Sequence, residues 1–370
     1  MIKMTQTRTA PLPIARYTDK YFARSREILE KEGLNPWVTM QVFVRKGPGI
    51  VGGIDEAVDL ILNNSDIEKV GGRIYALRDG SQYRPKETFM LIETPLQSIV
   101  ELETVYLGII AAGTTIASGD KAPNLDEIVQ NTRRVVETAE GRPVMYFGAR
   151  HWHYSNDAAI SRAAFEGGAT SCSTDAGAET FGSEGVGTIP HALVIAFASK
   201  YGIEKATVEA TKAFDRHMPE NIPRIALIDT FRREIDDSIA TAQALEGRLY
   251  GVRVDTCGEN VMQCGVAGDR KYWEGTGPTI YGVLKLREYL DKTGFDNVKI
   301  TLSSGFGNAE KVRAFVEAEK QLGVRLFDSL GVGGVYESRM STADIVRING
   351  IPFAKTGRMY TENLRLERRL

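Results

Sequence analysis

The chain is short of several things at once, and each shortage excludes a class. It has three cysteines, Cys172, Cys257 and Cys264, with no CxxC pair among them. That spacing gives no disulfide framework and fits small buried thiols in a reducing compartment. Charge of one sign is not in excess: 46 basic residues meet 48 acidic ones, a net charge of -2, so nothing electrostatic recommends a nucleic acid or an anionic membrane as partner. No run reaches the roughly 18 apolar residues of a membrane helix. The opening MIKMTQTRTAPLPIARYTDKYF also lacks the apolar segment of a signal peptide, so a cytoplasmic protein with a small ligand is expected. Repeats and low-complexity tracts are missing too. Histidine is scarce, yet three of the four (His151, His153 and His191) crowd into one segment rich in Gly, Ser and Thr.

What is present is enough for more than one core. At 370 residues the chain exceeds the size at which a single core stops growing, so one large domain and a smaller one are expected. In the first hundred residues an early helix (21–31) and a second after GPGIVGGIDEAV are mixed with TMQVFVRKG, GRIYALRDG and KETFMLIETP. These short β-rich runs, bounded by Gly or Pro, read as an antiparallel subdomain. SIVELETVYLGIIAAGTTIA is apolar around much of its circumference and suits a helix packed between layers. From about Asn124 helices alternate with the near-continuous apolar strands PVMYFG, PRIALIDT, LYGVRVDT, NVKITLSSG and VRLFDSLGVGG, which implies a parallel sheet covered on both sides. The tail TADIVRINGIPFAKTGRMY returns to short strands and is expected to rejoin the first subdomain.

The parallel strands share one feature: each ends in polar residues or glycine, as FGAR, IDT, RVDT, SSGFGN and SLGVGG. Both an α/β barrel and an open doubly wound sheet place ligands at that edge. In RVDT, Arg253 and Asp255 lie two apart and point to one side. They read either as a clamp for an anion and a sugar diol or as a rim salt bridge. Asp229 of IDT repeats the pattern one strand earlier. Gly305 and Gly307, then Gly333 and Gly334, either turn the chain or offer N–H groups to phosphate. His151 and His153 admit a barrel-hydrolase metal site, for which only His191 and His217 remain as further imidazoles. His191 follows Gly-Thr-Ile-Pro at a helix start, where an imidazole is either a core residue or a nucleophile and base near neutral pH.

In this order, TDKYF, FGAR, FEGGATSCST, GTIPHALV, LIDT, RVDT, SSGFGN and LGVGG resemble the nicotinate phosphoribosyltransferase family over about residues 18–360. The resemblance implies an irregular (β/α) barrel (101–335) with a split, mainly antiparallel α+β N-terminal domain (1–100, joined by 336–370). It implies a homodimer or higher oligomer with sites at the subunit interface. The reaction implied is transfer of the 5-phosphoribosyl group of phosphoribosyl pyrophosphate to nicotinate with Mg2+, coupled to ATP as co-substrate. Asp19 and Tyr21 match residues that reach a neighbouring subunit's site, where the tyrosine stacks on the pyridine. Phe147 matches its opposite face, and Arg150 an arginine for phosphate or carboxylate. Arg253 and Asp255 match the arginine near the ring and the carboxylate on the ribose. Asp229, with Asp255, matches the ribose–magnesium group, the four glycines match the 5′-phosphate turns, and His191 matches the phosphorylated histidine. His151 stands where many relatives have a second arginine. Thr170, beside Ser171, stands where several have an acid, so these positions are expected to tune acid against amide. The cysteine-rich zinc knuckle that ends some compact members is not expected in RLERRL. Nicotinamide or quinolinate transfer is the sister reading, quinolinate being disfavoured by few basic residues near the motifs; a metal-dependent hydrolase is the reading from another class.

Overall fold

A computed structural model describes residues 12–370; of the opening segment read for a leader, residues 1–11 lie outside the described part. Two six-stranded sheets organise the rest. In chain order the strands are β1 (Trp37–Val44), β2 (Gly49–Ile50), β3 (Arg73–Ala76), β4 (Gln82–Tyr83), β5 (Thr88–Pro95), β6 (Val144–Tyr146), β7 (Ser171–Cys172), β8 (Ile225–Leu227), β9 (Gly251–Val254), β10 (Lys299–Leu302), β11 (Ser329–Val332), β12 (Ser341–Ile348), β13 (Ile351–Pro352) and β14 (Glu367–Arg368). The first sheet is antiparallel, ordered β13-β12-β1-β5-β3-β14. Its central strand β1 sits between a neighbour from residues 88–95 and one from the tail, with Met40 opposite Ile92 on one side and Ile345 on the other. β2 and β4 form a separate small ribbon that the sequence pattern did not announce.

The second sheet is parallel, ordered β7-β6-β11-β10-β9-β8. Its strands are three or four residues long apart from the two-residue β7, because both faces are covered and the chain turns away as soon as it emerges. The edge strands β7 and β8 are not paired with each other, and the segment between them spans the gap. Val186 donates its N–H to the Cys172 carbonyl at 2.8 Å, and the Thr188 hydroxyl donates to the Ile225 carbonyl at 2.8 Å. That bridge ends at Pro190 and hands the chain to a helix beginning at His191.

The helices are α1 (Ile14–Tyr17), α2 (Lys20–Lys31), α3 (Ile54–Asn64), α4 (Glu103–Ala117), α5 (Leu125–Thr138), α6 (Asp157–Glu166), α7 (Asp175–Ala178), α8 (His191–Tyr201), α9 (Ile203–His217), α10 (Glu234–Ala244), α11 (Ile280–Lys292) and α12 (Ala309–Leu322). α5, which leads into the parallel sheet, and α11 and α12, which lie between its strands, start at the capping side chains of Asn124, Thr279 and Asn308, whose oxygens accept the first free N–H groups. The stretch Leu96–Ala117 is long and apolar enough to cross a membrane, yet it is mostly buried in this protein. Two turns of 3-10 helix open it, and α4 packs the antiparallel sheet's core. α8 and α9 join that same core, with Leu193, Phe197 and Phe214 fully enclosed. α4, α8 and α9 thus share one hydrophobic cluster with the antiparallel sheet.

Candidate active site

One cavity of about 620 Å³ opens where the ends of the parallel strands meet the antiparallel sheet and the tail. Phe147, Arg150 and His151 reach it from the end of β6, Arg253 and Asp255 from β9, Ser303, Ser304, Gly305 and Gly307 from β10, and Gly331, Gly333 and Gly334 from β11. The facing wall carries Tyr21, Arg45, Glu103, Asp344, Lys355 and Arg358. The strand-end residues of the sequence reading are therefore brought together, with Asp229 as the exception.

Asp229 lies behind the cavity rather than on it. Its carboxylate is fully buried, ion-paired with the Lys355 ammonium, and 3.0 Å from His191 Nε2. Lys355 Nζ also lies 2.7 Å from His191 Nε2 and donates to the Asp255 carbonyl at 3.1 Å. The lysine thereby ties three strand-end elements together from the tail. Burial and the Lys355 charge hold the His191 imidazole below its ordinary value, against the pull of Asp229, so it is neutral near pH 7. His191 Nε2 is occupied, while Nδ1 has no hydrogen-bond partner among the described residues. In the tautomer whose Nε2–H Asp229 accepts, Nδ1 carries a lone pair; in the tautomer whose Nε2 accepts from Lys355, Nδ1 carries the proton. Nothing in the sequence pattern singled out Lys355; a lone lysine after PFA is an unremarkable surface residue until the tail is seen to dive under the strand ends.

Asp255 presents its carboxylate to the cavity and is held by the Ser303 hydroxyl at 2.9 Å. Arg253 is buried, donates through Nη2 to the Ile189 carbonyl at 3.0 Å, and stands 5.7 Å from the centre of the Tyr21 ring. Its Nε is a buried donor with no partner. Arg150 is held in its charged form by Tyr21, Asp19, Glu103 and Asp255 around it, despite its burial. His151 is pushed down to about 3 by burial and by Arg150, so it faces the cavity as a neutral ring.

The glycine turns pack on one another. A Cβ on Gly307 would stand 2.6 Å from the Gly334 carbonyl oxygen, so only glycine lets the two loops touch. Gly305 has φ of +86°, and Ser304 before it is also left-handed at +69°, which bends the loop into the start of α12. The result is a concave run of main chain at a helix N-terminus, suited to phosphate oxygens.

Several expectations are corrected. Thr170 and Ser171 do not reach the cavity: Thr170 is exposed and bonds the Val144 carbonyl, at the entry of β7 rather than its exit. In a parallel sheet the ligand edge is the strand's C-terminal end, and that end is Ser173 to Asp175. These residues clamp α2, with Lys20 N–H on the Ser173 carbonyl at 2.7 Å and Lys20 Nζ on Asp175 at 2.7 Å. Arg24 adds a bond to the Gly187 carbonyl. This clamp sets Tyr21 on the cavity of its own chain. Asp19 is buried beside it and does not line this cavity; it accepts from the Tyr21 hydroxyl at 3.1 Å and from Thr104 at 2.9 Å, and so holds the tyrosine.

The four histidines do not converge. His153 bonds Ser155 and Glu56 at the surface, and His217 bonds Glu32 at the end of α9. No group of three or more His, Cys, Asp or Glu able to hold a metal occurs among the described residues, so the hydrolase reading has no ligand set. A magnesium ion brought in on a diphosphate needs fewer protein oxygens, and of the two carboxylates expected for it only Asp255 is open to the cavity.

The family model for the N-terminal domain of quinolinate phosphoribosyl transferase matches residues 19–112. A Mycobacterium tuberculosis nicotinate phosphoribosyltransferase is 28% identical over 265 residues, 71% of this chain and 47% of that protein, so the chain spans about half the length of that relative. The structure of a Pyrococcus furiosus nicotinate-nucleotide pyrophosphorylase is 30% identical, covering 98% of this chain and 82% of that one, with a TM-score of 0.45. The nicotinate phosphoribosyltransferase of Vibrio cholerae shares the fold at a TM-score of 0.66 and 12% identity, over 94% of this chain and 89% of that one.

Proposed function

We propose that the chain is a nicotinate phosphoribosyltransferase, transferring the 5-phosphoribosyl group of phosphoribosyl pyrophosphate to nicotinate and releasing pyrophosphate, as a cytoplasmic NAD-salvage enzyme; its likeness to curated nicotinate phosphoribosyltransferases and to the quinolinate phosphoribosyl transferase N-terminal domain supports the reading. The observation that carries this reading is the convergence of Tyr21, Phe147, Arg150, Arg253, Asp255 and the glycine turns on one cavity. Tyr21 and Phe147 supply aromatic faces for a flat ring. The Arg150 and Arg253 guanidiniums suit its carboxylate or the sugar phosphate. Asp255, oriented by Ser303, accepts from the ribose hydroxyls.

Breaking the bond from ribose C1 to pyrophosphate builds an oxocarbenium-like centre, so the residues mainly align the ring nitrogen and offset the departing charge. Arg45, Arg358 and Lys355 give the facing wall the cations for that group. Magnesium would neutralise the diphosphate, held on the protein side by Asp255. ATP coupling is read onto His191: in the tautomer whose Nε2–H Asp229 accepts, the Nδ1 lone pair attacks the γ-phosphorus, the bond to ADP breaks, and Asp229 holds the Nε2 proton. The irregular barrel is our reading of the parallel sheet, with the 186–188 bridge as the irregular closure. In a homodimer, the partner would add to a cavity that already has its Tyr21.

The test is product formation from nicotinate, nicotinamide and quinolinate with magnesium and phosphoribosyl pyrophosphate, with and without ATP. Nicotinate is expected to react, faster with ATP. No product from nicotinate would sink the reading. ATP stimulation that survives in His191→Ala would remove the phosphohistidine. Quinolinate is the second reading, favoured by four arginines (45, 150, 253 and 358) on the cavity, more basic groups than the strand-end motifs alone contain.

A further inference from the structure

Lys311 sits on the first turn of α12, directly beneath the turn that ends β10. Its ammonium donates to the Ser304 carbonyl at 3.2 Å and lies 4.4 Å from the centre of the Phe306 ring. It is also 3.6 Å from the point where a Cβ on Gly305 would project, and Gly305 lines the cavity. The other donors of this ammonium have no partner among the described residues, and no carboxylate lies against it. The adjacent Glu310 is engaged by Lys271 and the Tyr272 hydroxyl. Burial alone pushes the Lys311 ammonium down to about 8. A cation in such a place is costly unless an anion comes to it. The neighbouring main chain is bent to receive one, with Ser304 and Gly305 both left-handed and Gly307 pressed against Gly334.

We propose that Lys311 is the counter-charge of the phosphate subsite, donating from its free N–H groups to the phosphomonoester that the Ser303–Gly307 turn receives. The proposal rests on the phosphoribosyl reading for the identity of the sugar, but the ligand chemistry is that of any sugar phosphomonoester. The lysine also fixes the loop through Ser304, so the phosphate meets a charge that is already in position.

The experiment compares wild type with Lys311→Gln, which keeps a donor for the Ser304 carbonyl without the charge, and Lys311→Arg, which keeps the charge. Ribose 5-phosphate and unphosphorylated ribose are titrated calorimetrically into each, with unfolding temperatures recorded. Wild type is expected to bind ribose 5-phosphate over ribose, and Lys311→Gln to lose about 10- to 100-fold of that affinity while remaining folded. Lys311→Arg is expected to retain most of it. In turnover, KM for phosphoribosyl pyrophosphate should rise in parallel while KM for nicotinate stays constant. Lys311→Gln binding ribose 5-phosphate as wild type does, Lys311→Arg failing as badly as Lys311→Gln, or wild type not preferring the phosphorylated sugar would each overturn the proposal. If this binding pattern holds but no pyridine is ever phosphoribosylated, the subsite stands and the proposed reaction falls.

Discussion

The cavity has two walls of different origin. One is made of strand ends: each βα unit delivers its residues within a few positions of the last paired residue, so Arg253, Asp255 and the glycine turns are placed by short-range geometry. The other is assembled from α2, α4, β12 and the tail, separated by hundreds of residues and joined only by packing. The first wall resembles a generic sugar-phosphate cradle. The second holds the buried lysine, two arginines and two carboxyls pushed upward by burial, Glu103 to about 8 and Asp344 to about 6. Local βα geometry can position a binding group, whereas tuning a group's charge takes long-range burial.

Perturbing each wall tests that contrast. Asp255→Asn, on the strand-end wall, should cut kcat/KM about 10²- to 10³-fold with little change in unfolding temperature, measured by product formation and calorimetry. If Asp255 served mainly stability, the two results would be reversed. Lys355→Met, on the tail wall, should lower stability as well as turnover: it leaves the buried Asp229 charge with His191 alone as partner, at a cost of about 3–5 kcal/mol in unfolding experiments. It also removes a charge that depresses the His191 imidazole, so the acid limb of ATP stimulation should move to higher pH. Adding Asp229→Asn should recover much of the lost stability, and failure to recover any would mean the pair is not the source.

Glu103 gives a smaller effect. Burial raises its carboxyl, with Arg150 opposing and Asp344 and Asp19 adding to the rise. A carboxyl raised in the folded state favours folding most at low pH, and the advantage is lost between its unfolded value of about 4.3 and about 8. Glu103→Gln should therefore gain on wild type in unfolding temperature as pH rises from 5 to 9; a constant gap would show that Glu103 does not titrate there. Smallest of all, Thr170→Ala should leave the ratio of nicotinate to nicotinamide turnover unchanged, and a shifted ratio would restore the role its position in the chain first implied.

Most of the strand-end wall was legible beforehand, because apolar runs and the polar or glycine residues that stop them are local signals. Arg150, Arg253 and Asp255 were found in this way and by resemblance. Thr170 misled because β7 is only two residues long, and a shift of three positions turns a strand's exit into its entry. The facing wall was illegible for a different reason. Nothing near Lys355, Arg358 or Glu103 distinguishes them from surface charges; their burial comes from β12 pairing with β1 and from α4 packing beneath it. Tyr21 was recovered only through resemblance, and its placement in its own chain follows from the Lys20 and Arg24 clamp.

The pairing of Lys355 with Asp229 also imposes a timetable. The two residues are 126 positions apart, so at about 5–20 residues per second a ribosome makes the carboxylate well before its cation exists. Through that interval the nascent strand ends hold an acid that cannot be buried charged without loss. Asp229 must stay wet or protonated, and His191 has no fixed orientation. If His191 accepts phosphate as proposed, it matures only after the tail has threaded beneath the sheet, and cannot draw on ATP before then.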